Sequence, residues 1–564
     1  MNKENQKKKV TIIGIVAILA VLIVLSIVVY IARYSPTKET MSGYTYFGIE
    51  NGNENVLVIL DGQNFEDSGI YVDDRLYIKQ DLIEDSINIR FYYDEESGNV
   101  LYSDTHHIYS FVSGEAKYTD EEGNVTNTDN VVVLNQNGER YLDWEYVASH
   151  TDLNYELAKN PNRLVINTSY NETKCADTKK KATVRYRGGV KSLVLETLPK
   201  GTRVTVTKDL GNWLEVITPS GIKGYVKQSE LNKTYSYVRD TTYQDEYESI
   251  SYNQSINLAW FQVGGVAGNA TLDSALSGTS GINIVSPTWY SITGNDGTMS
   301  CFVSQETVTD IHNRGMEVWA LVDDFNTNVD FKTLYQSKKA RTKMVNTLIS
   351  DAKKYGFDGI NLDFEKVKKE YSRDFLQFVR ELSIECEKAG IVLSTDNYKP
   401  ESYNECYRLT EQASFVDYVV LMAYDEHYAG TEAGSVSSLP FFKEAISDMI
   451  NLVPSNQIVV GIPFFTRIWT TTNGKTTSSA VGMDEAINQM TKDGFSALWN
   501  EEIGQYAVNY EKNGSTIQIW FEEEQSVEER MKVISESNVS GVAGWKLGLE
   551  KKSVWGIINK YLNK

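Results

Sequence analysis

Cysteine, proline and positive charge are all scarce in this chain of 564 residues. It has four cysteines and no Cys-x-x-Cys pair, which excludes a disulfide framework and argues against a thiolate zinc site. Nine prolines and a charged fraction of 23% are too few for a disordered chain. The net charge of −21 argues against nucleic acid as a partner, because phosphate binding needs clustered Lys and Arg.

One long apolar run is present, and it lies near the N-terminus. Residues 10–32 are 23 consecutive uncharged residues, enough at about 1.5 Å each to cross a hydrocarbon layer of about 30 Å. A cleaved signal peptide has a shorter apolar part, so the sequence predicts a retained transmembrane helix in the lipid bilayer. Residues 1–9 carry four lysines, which predicts a cytoplasmic tail and a single-pass protein of the cell membrane whose later domains are extracellular.

Residues 44–170 have the pattern of a mixed α+β module. Apolar runs such as 56–60 and 131–134 are bounded by Gly, Asn and Asp, as short strands are. The segment resembles the small module found at the N-terminus of copper amine oxidases and in bacterial wall proteins. This resemblance implies a wall-type module and no copper chemistry.

Residues 181–232 consist of short β runs separated by Gly and Pro turns, which predicts a small all-β barrel. The segment resembles bacterial Src-homology-3-like domains, with Trp213 and Gly224-Tyr225-Val226 at the matching places. Such domains often bind wall peptides, so the resemblance implies a contact with the bacterial cell wall. Tyr186, Trp213 and Tyr225 are either a binding groove or part of the core.

From residue 250 to 564, short apolar strands alternate with amphipathic helices, the pattern of βα units around a parallel sheet. Eight such units predict an α/β TIM barrel, (β/α)8. The strands are expected to begin near residues 256, 282, 317, 359, 392, 418, 458 and 541. The last interval, 541 − 458 = 83 residues, leaves room for a small α+β insertion at about 466–518.

The fourth predicted strand carries three polar residues at alternate positions, Asn361, Asp363 and Glu365. Side chains alternate along a strand, so all three should project into the barrel. Two buried acids raise each other's pKa, and an acid that stays protonated near neutral pH suits general acid catalysis. The alternative is a solvated strand end that carries acids by chance.

The sequence Asp358-Gly-x-Asn361-x-Asp363-x-Glu365 resembles the DGxDxDxE signature of glycoside hydrolase family 18, the chitinase-like TIM barrels. Three further motifs agree with that family at predicted strand ends: Leu-Met-Ala-Tyr-Asp at 421–425, Gly-Ile-Pro at 461–463 and Gly-Val-Ala-Gly-Trp at 541–545. The Ile-Trp-Phe-Glu-Glu phrase at 519–523 is similar to the spore-germination and wall-hydrolase branch. The likeness covers about residues 250–560.

The resemblance implies a substrate-assisted mechanism, in which the 2-acetamido group of the sugar is the nucleophile. Glu365 would be the general acid, Asp363 would orient the acetamido group, and Tyr424 would donate to its oxygen. Asp425 would hold sugar hydroxyls beside Met422, and Trp545 would floor the site. The family has an acid where this chain has Asn361, which puts the pH optimum in doubt. No cofactor and no metal are needed.

Other aromatic residues near predicted strand ends are candidates for sugar binding. Trp289 and Tyr290 directly follow the second strand and are the preferred pair, and Tyr398 is a further candidate. Asp323 and Asp324 follow the third strand, where a solvated loop is a commoner explanation than sugar binding.

These observations lead to two hypotheses about function. The first is a membrane-anchored glycosidase that acts outside the cell on polysaccharide containing β-1,4-linked N-acetylglucosamine, with peptidoglycan favoured and chitin second. The second is a wall-binding scaffold or lectin that grips glycan without cleaving it. Retention of Glu365 favours the enzyme.

Overall fold

A computed structural model describes residues 3–244 and 247–563, so that residues 1–2 of the predicted tail and residue 564 lie outside the described residues. The chain divides into two compact units. The first contains the described residues up to 91 together with 113–117 and 127–244, and the second contains 92–112, 118–126 and the described residues after 244. The predicted boundary of a single module at 44–170 therefore differs from the structure, because part of that range belongs with the barrel.

The chain begins with the helix Lys3–Tyr34, which contains the whole predicted apolar run. Its side chains are exposed throughout, and within the described residues it is the one helix long and apolar enough to cross a membrane. At about 1.5 Å per residue it is longer than a hydrocarbon layer is thick.

A seven-stranded sheet forms the body of the predicted wall-type module. The run Val56–Leu60 is buried along its whole length, and it pairs in parallel with Arg163–Asn167 and antiparallel with Gln63–Val72. The order of the strands across the sheet is Asn154–Ala158, Arg163–Asn167, Val56–Leu60, Gln63–Val72, Arg75–Lys79, Glu139–Asp143 and Val133–Gln136. Helices occur at Gly43–Phe47, Gln80–Leu82, Ile83–Ile87 and Trp144–Ser149. The resemblance to the copper amine oxidase module stays a prediction.

A second seven-stranded sheet contains the Src-homology-3-like segment. The order is Val194–Leu198, Ala182–Arg185, Lys223–Lys227, Trp213–Ile217, Arg203–Asp209, Thr173–Asp177 and Tyr235–Tyr237, with a short helix at Gln228–Glu230. Alternate apolar residues such as Leu214 and Val216 are buried in its core. Tyr186, Trp213 and Tyr225 remain partly or largely exposed, so they are outside that core.

The second unit contains the predicted parallel barrel. Its strands are β1 (Ile256–Phe261), β2 (Ile284–Ile292), β3 (Glu317–Asp323), β4 (Gly359–Asp363), β5 (Val392–Tyr398), β6 (Tyr418–Met422), β7 (Ile458–Pro463) and β8 (Gly541–Trp545). Each strand pairs in parallel with its neighbour, and β1 pairs with both β2 and β8, so the sheet is closed. The TIM-barrel prediction is confirmed, and every strand except the second begins where it was expected.

Helices surround the barrel at Leu272–Leu276, Gln305–Asn313, Phe331–Gln336, Lys338–Tyr355, Ser372–Ala389, Leu409–Gln412, Leu439–Ile450, Glu524–Glu536 and Val554–Leu562. Shorter 3-10 turns lie at Val266–Thr271, Lys369–Tyr371, Ser402–Tyr407 and Ser455–Gln457, and Met299–Cys301 adds an antiparallel edge to β2. Outward residues of the strands pack on these helices: Phe364 lies against Tyr335, Phe375 and Phe378.

The predicted insertion lies between β7 and the helix before β8. It is a five-stranded antiparallel sheet in the order Lys475–Gly482, Phe465–Thr472, Ser515–Phe521, Gln505–Lys512 and Leu498–Asn500, covered by the helix Met483–Lys492. Ala486 of that helix is buried with Ile519 and Phe521 of the sheet, which gives the insertion its own small core.

A five-stranded meander is the part of the N-terminal half that belongs with the barrel. Its strands are Phe91–Asp94, Asn99–Ser103, Ile108–Phe111, Lys117–Thr119 and Val125–Asn127. The Asp94 carboxylate accepts a 2.7 Å hydrogen bond from Arg341, and Tyr92 donates a 2.6 Å hydrogen bond to Asp374. Asp94 and Arg341 are both fully buried, and Glu381 is the second acidic partner of the guanidinium.

We predict that Arg341→Met destabilises the barrel unit by about 3–5 kcal/mol, because it leaves the Asp94 carboxylate buried without its cation. Denaturant unfolding of the full chain in detergent, followed by tryptophan fluorescence, measures the loss. Lys339→Met, which changes a 90% exposed side chain on the same helix, is the matched control. Equal stability of the two variants would contradict the buried ion pair.

Candidate active site

Asn361 and Asp363 of β4 and Glu365 just after it lie at the mouth of the barrel, as their alternation predicted. Asn361 and Asp363 are 0% and 5% exposed, and Glu365 follows the strand and is half-buried. Leu362 and Phe364, between them, face the helical layer. The alternation of a β-strand thus places one amide and two carboxyl groups in the same enclosed space.

Asn361 is held by side chains from three other strands. Its amide oxygen accepts hydrogen bonds from Trp260 Nε1 at 3.0 Å and Ser286 Oγ at 3.1 Å. Its amide nitrogen donates to Ser394 Oγ at 3.0 Å and to Asp396 Oδ1 at 2.6 Å. All four hydrogen-bonding positions of the amide are used, so its orientation is fixed.

Asp363 is buried among other acidic groups. Its Oδ1 atom is buried and has no hydrogen-bond donor among the described residues. Burial raises the pKa of Asp363 well above its ordinary value, and the charges of Asp396 and Glu365 raise it further. A carboxyl group in this position resists ionisation until a ligand or a nearby proton acceptor stabilises its charge.

Glu365 is fixed through both its side chain and its backbone. Its carboxylate accepts a hydrogen bond from the Tyr398 hydroxyl. The Asp324 carboxylate accepts the backbone N–H of Glu365 and of Lys366, each at 2.8 Å. Burial raises the pKa of Glu365, while the hydrogen bond from Tyr398 acts in the opposite direction. The result is an acid that is held in place and biased toward its protonated form.

The end of β6 brings Met422, Tyr424 and Asp425 to the same mouth. Tyr424 is 7% exposed, and the nearby charges of Asp363 and Asp396 add to burial in raising the pKa of its hydroxyl. Gly461 of β7 makes room for it, since a Cβ atom at that position would lie 3.1 Å from the Tyr424 ring. Met422 and Tyr424 belong to one apolar cluster.

Asp425 ends this segment in the left-handed backbone region, at φ +59°. Burial raises the pKa of its carboxyl group, and Arg467 of the insertion, 3.8 Å away, opposes that shift. Its Oδ1 atom is buried and has no hydrogen-bond donor among the described residues. A non-glycine residue held at positive φ stores backbone strain, and such strain clusters at functional sites.

Trp545, at the end of β8, is partly buried beside the acids. Its ring packs edge-to-face on Trp260 at a centroid distance of 5.8 Å. It also joins the apolar cluster that contains Met422, Tyr424 and Tyr398. A half-exposed indole at the mouth offers a flat apolar surface next to polar groups.

Trp289 and Tyr290 lie away from this site, so the prediction that they line the cleft is wrong. Trp289 is 0% exposed and donates to Asn269 outside the strand, while Tyr290 donates to Asp351 on a surrounding helix. The strand β2 continues through both residues and has a register shift between Thr288 and Tyr290. Such a shift explains why two consecutive side chains contact the outer layer.

Two acidic residues of the site were missed or misjudged from the sequence. Asp324 is 1% exposed and holds backbone N–H groups, so it is not part of a solvated loop, and burial raises its pKa to about 7. Asp396, 3% exposed, was not singled out at all. Its position two residues after Ser394, near the end of a barrel strand, is the signal that would have found it.

The arrangement can perform general acid–base chemistry on a neutral ligand. It combines a held acid, a second carboxyl group that resists ionisation, a buried tyrosine hydroxyl and an apolar indole face. Among the described residues, no three His, Cys, Asp or Glu side chains are arranged to hold a metal ion.

Two family profiles match the sequence. The profile of glycosyl hydrolases family 18 matches residues 234–550, more than half of the chain, and that of the bacterial SH3 domain matches residues 181–232. The second match confirms the resemblance of that segment to bacterial Src-homology-3-like domains. The second match has the predicted bounds, and the first overlaps most of the predicted likeness at 250–560.

Individual relatives are more distant. The glycosylase YvbX of Bacillus subtilis is 26% identical over 259 residues, which cover 43% of this chain and 75% of the relative. The cortical fragment-lytic enzyme of the same organism is 26% identical over 241 residues, which cover 41% of this chain and 56% of that enzyme. The match therefore spans little more than half the length of the lytic enzyme.

Among solved structures, the C-terminal domain of a protein described as a chitinase from Desulfitobacterium hafniense DCB-2 is similar in fold. It is 22% identical, with a TM-score of 0.51, and the match covers 55% of this chain and 100% of that domain. At this identity the similarity supports the barrel fold alone.

We predict that Tyr398→Phe raises the pKa of Glu365, because the hydroxyl no longer stabilises the carboxylate form. Glu365 then stays protonated to higher pH, and the alkaline limb of the pH–activity profile moves up by about one pH unit. Steady-state rates across the pH range measure the shift. Tyr403→Phe, which alters a 76% exposed tyrosine in the 3-10 turn that follows β5, is the control. An unmoved alkaline limb in Tyr398→Phe would contradict this role.

Proposed function

The chain belongs to glycosyl hydrolase family 18 and is a glycosidase, and we propose that it is a membrane-anchored enzyme that cleaves β-1,4-linked N-acetylglucosamine-containing glycan outside the cell. The observation that carries this proposal is the enclosed pair Asp363 and Glu365 beside the Tyr424 hydroxyl. The proposed mechanism is substrate-assisted and retains the anomeric configuration.

Glu365 is the proposed general acid and base. Burial raises its pKa and so favours the protonated form, which can transfer its proton to the glycosidic oxygen as the bond to the anomeric carbon breaks. In the second step the carboxylate that remains removes a proton from water as the water oxygen attacks the anomeric carbon. The bond from the acetamido oxygen to that carbon breaks at the same time, which restores the acetamido group. Asp324 supports both steps by fixing the backbone of Glu365.

Asp363 and Tyr424 are proposed to act on the acetamido group. The acetamido oxygen attacks the anomeric carbon while the leaving group departs, which forms a cyclic oxazolinium cation without a covalent enzyme intermediate. Asp363 accepts the acetamido N–H, and its charge balances the cation. Its buried Oδ1 atom, which has no donor among the described residues, is suited to that hydrogen bond. Tyr424 donates its hydroxyl to the acetamido oxygen.

The sugar itself is proposed to lie on Trp545. The indole face stacks on the apolar C–H face of the ring, and Met422 fills the space beneath the acetamido methyl group. Asp425 accepts sugar hydroxyls through the Oδ1 atom that lacks a donor among the described residues. Tyr398 orients the acid and closes the side of the site.

Peptidoglycan is the favoured substrate and chitin the second. The apolar N-terminal helix and the bacterial SH3 match suit a protein held at a bacterial surface beside the wall. The relative named as a cortical fragment-lytic enzyme is a further argument for a wall glycan. We propose that the exposed Tyr186, with Trp213 and Tyr225 beside Gly188, forms the surface that contacts the wall.

We predict that Glu365→Gln lowers the release of reducing sugar by at least about 100-fold, because the glutamine cannot donate the proton. Purified peptidoglycan and a chitooligosaccharide serve as substrates, and mass spectrometry of the products identifies the bond cut. Glu370→Gln, an exposed glutamate nearby, is the control. Equal turnover by Glu365→Gln would contradict the assignment, and tight glycan binding by the parent without any product would favour a lectin.

We also predict that deletion of residues 1–34 moves the protein from the membrane fraction to the soluble fraction. A matched variant with residues 10–32 in scrambled order keeps the same hydropathy and should stay with the membrane, because insertion depends on apolar length and not on order. Fractionation with alkaline washing distinguishes the two. A deletion variant that remains in the membrane would contradict the proposed anchor.

A further inference from the structure

Asn361 occupies the position at which the family 18 signature has its first acid. The carboxyl group of Asp396 lies close to it on the next strand, β5. The register of β4 and β5 pairs Asn361 with Ser394 and Leu362 with Thr395. Asp396 is therefore level with Asp363 on the neighbouring strand, and strands in a sheet are about 4.8 Å apart. Both side chains face the barrel interior, where Asp396 accepts the 2.6 Å hydrogen bond from Asn361.

We propose that Asp396 is a positioning residue that shares one proton with Asp363, so that the acid expected on β4 has its counterpart on β5. The inference rests on the proposed function and assigns a role to a residue outside the motif. When a sugar binds, the proton leaves an Asp363 carboxyl oxygen and bonds to an Asp396 carboxyl oxygen. The pair carries a charge of −1 before and after, and the charge moves to Asp363, where the oxazolinium cation forms.

The amide at position 361 fits this arrangement. It donates to Asp396 and accepts from Trp260 and Ser286, so it fixes Asp396 without adding a charge. A carboxyl group at 361 would be a further acid in a space that already encloses three. Like charges at such distances oppose one another's ionisation, which explains why an amide accompanies Asp396.

The electrostatic surroundings agree with a shared proton. Burial raises the pKa of Asp396 to about 8, against the hydrogen bond from Asn361 that lowers it. Burial and the charge of Asp396 also raise the pKa of Asp363 well above its ordinary value. Each carboxylate charge opposes the ionisation of the other group, so the two are not ionised together, and Asp363 can ionise when Asp396 takes its proton. Other titratable groups that act on the pair or on its neighbours are Asp323 at the end of β3 and Asp324 after it, Glu365 after β4, Tyr398 on β5, and Tyr424 and Asp425 after β6.

The test compares Asp396→Asn with the exchange variant Asn361→Asp/Asp396→Asn. Asp396→Asn keeps the size and an acceptor oxygen but removes the proton acceptor, so kcat should fall by roughly tenfold or more with little change in KM. The exchange variant returns a carboxyl group to the cluster on β4 and should recover most of the lost kcat. Asp417→Asn, a buried acid at the opposite end of the barrel, is the matched control.

The pH profile separates proton sharing from a structural role. Two carboxyl groups that share a proton ionise first at a lower pH than either does alone. The acid limb of kcat should therefore move to higher pH in Asp396→Asn, by about one unit, and return in the exchange variant. Loss of kcat without a shift of this limb, or an exchange variant no better than Asp396→Asn, overturns the proposal.

A substrate-free measurement keeps this result separate from the choice of glycan. The infrared band of protonated carboxyl groups is followed against pH in the parent, in Asp396→Asn, and in each of these with Asp363→Asn added. Subtracting the spectra of the proteins that carry Asp363→Asn leaves the contribution that depends on Asp363. The first carboxyl group to lose its proton should do so at lower pH in the parent than in Asp396→Asn, whether or not any tested glycan is cleaved. Identical titrations overturn the shared proton, while absence of turnover in the parent contradicts only the proposed function.

Discussion

Burial of several carboxyl groups in one enclosed space is the constraint on which this site depends. A closed parallel barrel directs alternate side chains of each strand inward, and at the mouth these include Asp363 and Asp396. Desolvation and mutual repulsion prevent both from being ionised near neutral pH. The neutral groups around them, above all Asn361 with its four hydrogen bonds, fix the geometry in which a proton can move.

Much of the barrel was predictable because its signal is local. The sequence itself shows the apolar runs, the amphipathic helices and the spacing of the strands. These local patterns located eight strands and the insertion. The positions of Asn361 and Asp363 followed from simple alternation. Asp396 was missed because its importance comes from the pairing of β4 with β5, and register between neighbouring strands is not visible in one strand's pattern. Trp289 was misplaced because a register shift in β2 breaks the alternation.

The N-terminal half was harder to predict. Its short strands were recognisable, but the chain leaves the first seven-stranded sheet after Lys79, builds a meander that starts at Phe91 and belongs with the barrel, and then returns. A contiguous domain is the natural assumption from composition, and nothing in the hydrophobic pattern near Phe91 marks a change of unit. The decisive contact, Asp94 with Arg341, joins residues 247 positions apart, a separation beyond any local rule.

The meander also determines which fragment of this protein would contain the complete barrel unit. The family profile begins at residue 234, and a fragment cut there would keep Arg341 while discarding Asp94. The guanidinium would keep Glu381 as an acidic partner but lose Asp94, and the buried Asp374 carboxyl group would lose the hydrogen bond from Tyr92. Modular exchange of the catalytic part, whether by recombination or in the laboratory, must therefore carry a distant stretch of sequence with it.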